Sequence, residues 1–508
     1  MSKPATQPVG AGQCEELRKK LLPASGQADK QHLRNLGLAM LYGRPPTYTP
    51  ITTIPDSETI FCPRSSLEEA LLCLLLSAEM EPKSLVTDPT LMWHLTLALS
   101  VAHHYAFLGN LLSQAFPSMS ENPSAWEVKV QAQEAAGKRA EALQTVRNIV
   151  RFNDQAIMPK LQCARLSREM GKELDLEVSC ARAALEKATG TGWKRAGHLA
   201  LGLALEAQAG QCGGDYSDAI AEVSMALQLD PHDCKLNYHL ARMKALAGYP
   251  PQEVASLAVN GLQAGGAVLG PLWAVLALAR ASEGDFEKAI KGLDAGLYES
   301  GPAHASLLLV TKIQVLLAAD EPHQALETLQ QLMAHVQRGT AHIESVDPVM
   351  RKVLEKEEAR MWEQGVHVFL ALEQAKDAEY CVDRTLALLP HQAESHHVQG
   401  LLQQAKGQAD KALVSFQTAI SINPRHSDSE IRCGALYRER GASGDLIIAR
   451  DLLVSGLKHR PSSSSGWYNL GLVNRADNRL EEAEEDLRSA VLLQSNVLGL
   501  AYLLPRIV

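Results

Sequence analysis

Aromatic side chains are scarce in this sequence, with 7 Phe, 11 Tyr and 6 Trp among 508 residues. The 46% hydrophobic share is instead mostly Ala, Leu and Val, which favours helix over sheet. Paired cysteines are lacking too. Nine cysteines, at 14, 62, 73, 163, 180, 212, 234, 381 and 433, make an odd set with no Cys-x-x-Cys and no Cys/His spacing suited to zinc. A reducing cytosol fits that usage. A basic excess is also missing: 49 Lys and Arg against 58 Asp and Glu leave a net charge of −9. This opposes the phosphate attraction on which nucleic-acid binding and adhesion to anionic lipid depend, so neither role is expected. The most apolar short run, Leu71-Leu72-Cys73-Leu74-Leu75-Leu76, is bounded by Glu68-Glu69 and Glu79. It falls far short of the roughly 18–20 uncharged residues of a membrane span. The N-terminus has no apolar secretory core and no Gly at position 2 for myristoylation, so any membrane role is expected to be peripheral and carried by another molecule.

Catalytic patterns are equally thin. Gly190-Thr191-Gly192 and the glycines of 261–270 precede no Gly-Lys-Ser/Thr and follow no strand pattern, so they read as turns. His103-His104 and His396-His397 are adjacent rather than one helical turn apart, which suits packed or solvated rings better than a metal. Gly441-Ala442-Ser443-Gly444 has the wrong spacing for a nucleophile elbow. The acidic run Glu481-Glu482-Ala483-Glu484-Glu485-Asp486 reads as a helix surface with its charge near the favourable N-terminal end. Ser462 to Ser465 reads as N-capping rather than as a phosphorylation site. No enzyme, cofactor or metal site is expected.

What is present is a period of about 34 residues. The clearest unit places Gly400, Gly407, Ala412, Phe416, Ala419 and Pro424 at offsets 0, 7, 12, 16, 19 and 24. Trp467, Leu470, Gly471, Ala483, Leu487 and Ala490 repeat the pattern, as do Trp273, Leu276, Ala277, Gly284, Phe286, Ala289 and Leu293. Small residues let two antiparallel helices approach, and the larger ones fill the space between neighbouring pairs. Such a pair cannot bury its apolar face alone and must stack on the next. The predicted fold is therefore all-α: a tetratricopeptide-repeat solenoid, a right-handed superhelix of about ten helix pairs between 123 and 497.

The chain is expected to divide into a partly ordered arm at 1–60, a helical array at 61–329, a linker or loop at 330–358, a second array at 359–497 and a tail at 498–508 that seals the last repeat. His397, Gln404, Arg438, Tyr468 and Arg475, polar residues on the first helices of the last repeats, are the candidate protein-binding positions on the concave side.

Certain residues go beyond a generic repeat. Phe61-Cys62-Pro63-Arg64 followed by Glu68 to Leu76, then Leu199-Ala200-Leu201-Gly202-Leu203, then Asp377-Ala378-Glu379-Tyr380-Cys381 ahead of Leu388-Leu389-Pro390, and the ending Leu504-Pro505-Arg506-Ile507-Val508, resemble the tetratricopeptide repeat protein seven family, from about 60 to 508. The resemblance implies a non-enzymatic scaffold. Family members bridge the type III alpha phosphatidylinositol 4-kinase to a palmitoylated plasma-membrane anchor, with a hyccin-type subunit along the solenoid. It implies a cytoplasmic chain recruited peripherally to the plasma membrane. Family members usually carry a further helical half before the segment matching Phe61, and contacts made by that half are not expected here. A generic co-chaperone adaptor clamping acidic peptide ends, which would draw on Lys235, Asn237 and Arg242, and a calmodulin-binding relative are the alternatives.

Overall fold

A computed structural model describes residues 30–42, 66–79, 89–102, 107–108, 110–111, 123–135, 137–171, 174–212, 215–340, 348–441 and 443–494. The 61–64 motif, His103-His104 and the 498–508 tail with its Pro505-Arg506 ending lie outside the described residues. Three helices come first: α1 (Lys30–Tyr42), α2 (Ser66–Glu79) and α3 (Pro89–Val101). Ten pairs follow, each an A helix and a B helix. These are α4 (Pro123–Ala135) with α5 (Arg139–Phe152), α6 (Ile157–Met170) with α7 (Leu174–Glu186), and α8 (Thr191–Cys212) with α9 (Ser217–Leu229). Next come α10 (Cys234–Leu246) with α11 (Pro251–Gln263), α12 (Gly270–Ser282) with α13 (Phe286–Glu299), and α14 (Ala305–Ala318) with α15 (Pro322–Thr340). The last four pairs are α16 (Pro348–Ala371) with α17 (Ala375–Leu388), α18 (Ala393–Ala405) with α19 (Ala409–Ile422), α20 (Ser427–Arg440) with α21 (Ser443–His459), and α22 (Ser464–Ala476) with α23 (Leu480–Gln494). No strand occurs among the described residues. The fold is a tetratricopeptide-type solenoid.

The repeat offsets have local physical causes. Fourteen residues after the first residue of α10, α12, α18 and α20 stand Gly248, Gly284, Gly407 and Gly441, all in the left-handed region, at φ values from 69° to 83°. The A–B turn requires that conformation, and glycine adopts it without a Cβ clash. Asn478 takes the same place after α22 at φ 63°. The fourth residue of an A helix reaches back to the carbonyl six residues earlier. Trp273 Nε1 donates to Ala267 at 2.9 Å, Trp467 Nε1 to Pro461 at 2.7 Å and Asn237 Nδ2 to Pro231 at 3.3 Å, while His396 Nε2 lies 3.0 Å from the Pro390 oxygen. This bond pins α10, α12, α18 and α22 to the turns before them. A and B helices of one pair are tied by polar contacts twelve residues apart: Thr145 to Gln133, Ser415 to Gln403 and Asn474 to Asp486, at 2.7–2.9 Å. A Cβ at Gly400 would lie 2.5 Å from Phe416, and one at Gly471 would lie 2.7 Å from Leu487, so these glycines admit the B helix.

The chain divides into two compact units, Met1–Leu166 with Ser345–Met350, and Ser167–Glu344 with Arg351–Val508. In the first, Leu33, Leu36, Ala39 and Met40 of α1 pack on Ala70 and Cys73 of α2, and Leu74, Leu91, Leu95 and Leu99 continue the core. This corrects the partly ordered arm expected at 1–60 to the extent that residues 30–42 form a packed helix. An apolar stripe with helical spacing inside a Pro- and Gly-rich stretch folds because α2 is there to cover it. A second correction concerns 330–358. Apart from 341–347, which are not described, this stretch belongs to α15 and α16, not to a loop. The reason is packing: Leu332 and Val336 of α15 share a buried cluster with Met361 and Val368 of α16, so the stack continues across the expected break.

Candidate protein-binding face

The five candidate residues fall at two repeat positions. Gln404, Arg438 and Arg475 each stand four residues after a packed glycine, at Gly400, Gly434 and Gly471. His397 and Tyr468 each stand three residues before one. The two positions lie about 20° apart around a helix, so both contribute to one stripe of the A-helix face. Tyr468 is 52% exposed and Arg475 is exposed, while Gln404 and Arg438 are half-buried, Arg438 pairing with Glu439 at 3.2 Å. In α20 the place of His397 and Tyr468 is taken by Ile431, which is buried, so the two do not form a continuous row.

His397 is a packing residue as well as a surface one. Its Nδ1 shares a 2.8 Å hydrogen bond with Ser429 Oγ, and its ring lies 5.4 Å from Phe416 and 5.0 Å from His426. His426 caps α20, its Nδ1 accepting from the Ser429 backbone N–H at 3.2 Å. Burial first, then the neighbouring His426, His367 and arginines, holds His397 well below the usual histidine range, so it is neutral at pH 7.

Sequence reading missed the charged groups beside it. Glu363 and His367 on α16, Glu394 on α18, and Asp428 and Arg432 on α20 line the same face; Glu394 and Arg432 are exposed. Burial and the like charge of Glu394 push the Glu363 carboxyl up to about 7, with Arg360 opposing. Burial lowers His367. Asp428 forms an ion pair with Arg460. Their signal lay in the i, i+3 and i+4 spacing of charged residues along A helices, which looks the same whether the face is open or covered.

The A helices further back present a different face. Tyr238, His239 and Arg242 of α10 are buried, and the Arg242–Glu206 ion pair joins α10 to α8. Burial pushes the Tyr238 hydroxyl up to about 12, and burial followed by Arg242 pushes His239 down to about 3. Two of the three residues an acid-clamping co-chaperone would draw on are thus engaged, Arg242 in that pair and the Asn237 amide by the carbonyls of Pro231 and Asp233, while Lys235 is exposed. Ser463, in the four-serine turn, caps α22 by accepting from the Gly466 N–H. Asp486, inside the acidic run, is buried against Asn474 rather than displayed on the surface.

Residues 393–426 and 464–497, which hold α18/α19 and α22/α23, match the family model described as "Tetratricopeptide repeat". The chain is 25% identical to Protein NPGR2 of Arabidopsis thaliana across 87% of its own length and 62% of that protein. It is 21% identical to Tetratricopeptide repeat protein 7B of Homo sapiens across 91% of its own length and 64% of that protein. Tetratricopeptide repeat protein 7A of Homo sapiens is 20% identical over 87% of this chain. The chain therefore spans a little under two thirds of the length of these relatives. Against the crystal structure of the yeast Tom70 it covers 85% of its own length and 92% of that chain, at 14% identity and a TM-score of 0.44.

Proposed function

We propose that this chain, a repeat solenoid similar over most of its length to the tetratricopeptide repeat proteins 7A and 7B, is a non-enzymatic adaptor that helps assemble a phosphatidylinositol 4-kinase complex and hold it at the plasma membrane. The observation that carries the adaptor reading is the A-helix stripe of the last repeats, where Tyr468 and Arg475 of α22 stand in solvent and Gln404 and Arg438 are half-buried. A tyrosine and an arginine on a fixed scaffold are the side chains that protein interfaces favour, because each contributes much contact for little lost freedom. The finer reading is supported by the similarity along the chain. Its partners are a type III alpha phosphatidylinositol 4-kinase, a hyccin-type subunit and a palmitoylated membrane anchor, with His397, Gln404, Arg438, Tyr468 and Arg475 as the contact residues. No helix among the described residues is long and apolar enough to cross a membrane. In this reading the chain is cytoplasmic and attachment comes from the anchor.

Co-expression of the full chain with each of the three partners singly and together, followed by size-exclusion chromatography, tests this. Co-elution with the hyccin-type subunit or the kinase is the expected result, reduced when Tyr468 and Arg475 are both changed to Ala. Elution of the chain alone in every combination would leave the repeat fold standing and remove the lipid-kinase reading.

A further inference from the structure

On another part of the same repeat unit, α15, α16 and α17 enclose a cleft of about 500 Å³. Its walls are Leu329 and Met333 of α15, Met361, Trp362 and Phe369 of α16, and Tyr380 of α17. Gly365 lies at its base, where a Cβ would come 2.9 Å from Cys381 Sγ. The aromatic wall is braced. Trp362 Nε1 donates to Glu358 at 3.2 Å, Arg384 bonds the same carboxylate at 2.9 Å with its guanidinium 5.8 Å over the indole, and Tyr380 meets Trp362 edge-on at 5.6 Å. Tyr380 nevertheless leaves 59% of its surface in water. A cleft of this volume, walled by aromatic and methionine side chains, matches the size and chemistry of sites that take one large apolar group.

The charge of the lining says more about the occupant. Glu358 and Arg384 neutralise each other, and the remaining charged residue of the cleft, Asp377, makes no ion pair among the described residues. The cleft is therefore apolar inside and singly negative at its rim. Burial, with Asp377 second, pushes the Cys381 thiol up to about 12, so the thiol adds no charge at pH 7.

We propose that this cleft docks a partner segment bearing an aromatic or long aliphatic anchor with a Lys or Arg one helical turn away, the anchor entering between Trp362 and Tyr380 and the cation meeting Asp377. This surface is separate from the stripe of α18, α20 and α22 and does not depend on which complex the chain serves.

The test uses dye-labelled, helix-favouring peptides in an Ala/Gln background, titrated onto the full chain by fluorescence anisotropy. One carries Phe with Arg four residues on, one Phe with Glu, and one Ala with Arg. The Phe/Arg peptide binds tightest; changing its Arg to Glu weakens it about threefold or more, as expected of a rim charge, and Asp377→Lys reverses that preference. Tyr380→Ala weakens the Phe/Arg peptide about tenfold, the scale of losing an aromatic wall at an interface, with an unchanged melting temperature. Equal binding of the three peptides, or affinities untouched by both variants, overturns the proposal. So does self-association of the wild-type chain in sedimentation velocity that Tyr380→Ala abolishes, which would assign the cleft to a second copy.

Discussion

Tyr238 and Tyr468 occupy the same place in their A helices, three residues before Ala241 and Gly471, yet Tyr238 is 1% exposed and Tyr468 is 52% exposed. What differs is the side chains that stand at the repeat positions around each tyrosine. In α12 the equivalent places are Ala274, Ala277 and Ala281, all buried, and these small side chains lie where α10, α12 and α14 pack on one another; α20 and α22 pack on one another too, but with longer polar side chains at the last of these places. The polar groups caught there must be paired, as Arg242 is with Glu206. In α18, α20 and α22 the corresponding place carries Gln404, Arg438 and Arg475, of which Arg475 is exposed and the other two are half-buried. One repeat motif thus encloses one tyrosine among buried alanines and leaves the other in solvent, and the side chains at these repeat positions decide which.

The largest effect belongs to the buried stretch around Tyr238. Glu206→Leu leaves the Arg242 guanidinium buried without its carboxylate and lowers unfolding free energy by about 3–5 kcal/mol, whereas the double variant Glu206→Leu/Arg242→Met recovers most of the loss; chemical denaturation of the three proteins checks this. Tyr238→Ala costs about 3–5 kcal/mol by emptying a filled site, while Tyr468→Ala stays within about 0.5 kcal/mol of wild type. Equal melts for these two variants would break the comparison at its root. Gly400→Ala, which drives a methyl into Phe416, costs about 1–3 kcal/mol, and adding Phe416→Leu returns part of it.

Glu363 supplies a pH signature. Its folded carboxyl titrates near 7, above the unfolded value near 4.5. The folded state therefore holds the proton more tightly, and this group's contribution is full below pH 4.5 and lost as pH rises through 7. Glu363→Gln should match wild type in melting temperature at pH 5 and exceed it at pH 8. A variant that melts lower at pH 8 would mean that the charged carboxylate is well solvated.

The repeat itself was legible because its constraints are short-range. Gly400 must face Phe416 sixteen residues on, and Trp467 must reach the carbonyl of Pro461 six residues back, so spacing alone reveals them. The Arg242–Glu206 pair spans 36 residues and belongs to the stacking of neighbouring pairs, which leaves no periodic trace. The same holds for the α15–α17 cleft, whose shape depends on how far two B helices stand apart. Helix α1 and the continuation of α15 from 330 to 340 were missed because Pro, Gly and polar residues outweighed short apolar stripes that only the neighbouring helix makes worth burying. Of the candidate site, the A-helix stripe was readable from phase, but the burial of His397 against Ser429 and Phe416 was not.

The most direct test of the adaptor account is hydrogen–deuterium exchange on the chain alone and in complex with the hyccin-type subunit or the kinase. The account predicts new protection in α18, α20 and α22, while α10, α12 and α14 stay unchanged. Binding that leaves the exchange of α18, α20 and α22 as it was in the free chain would contradict it.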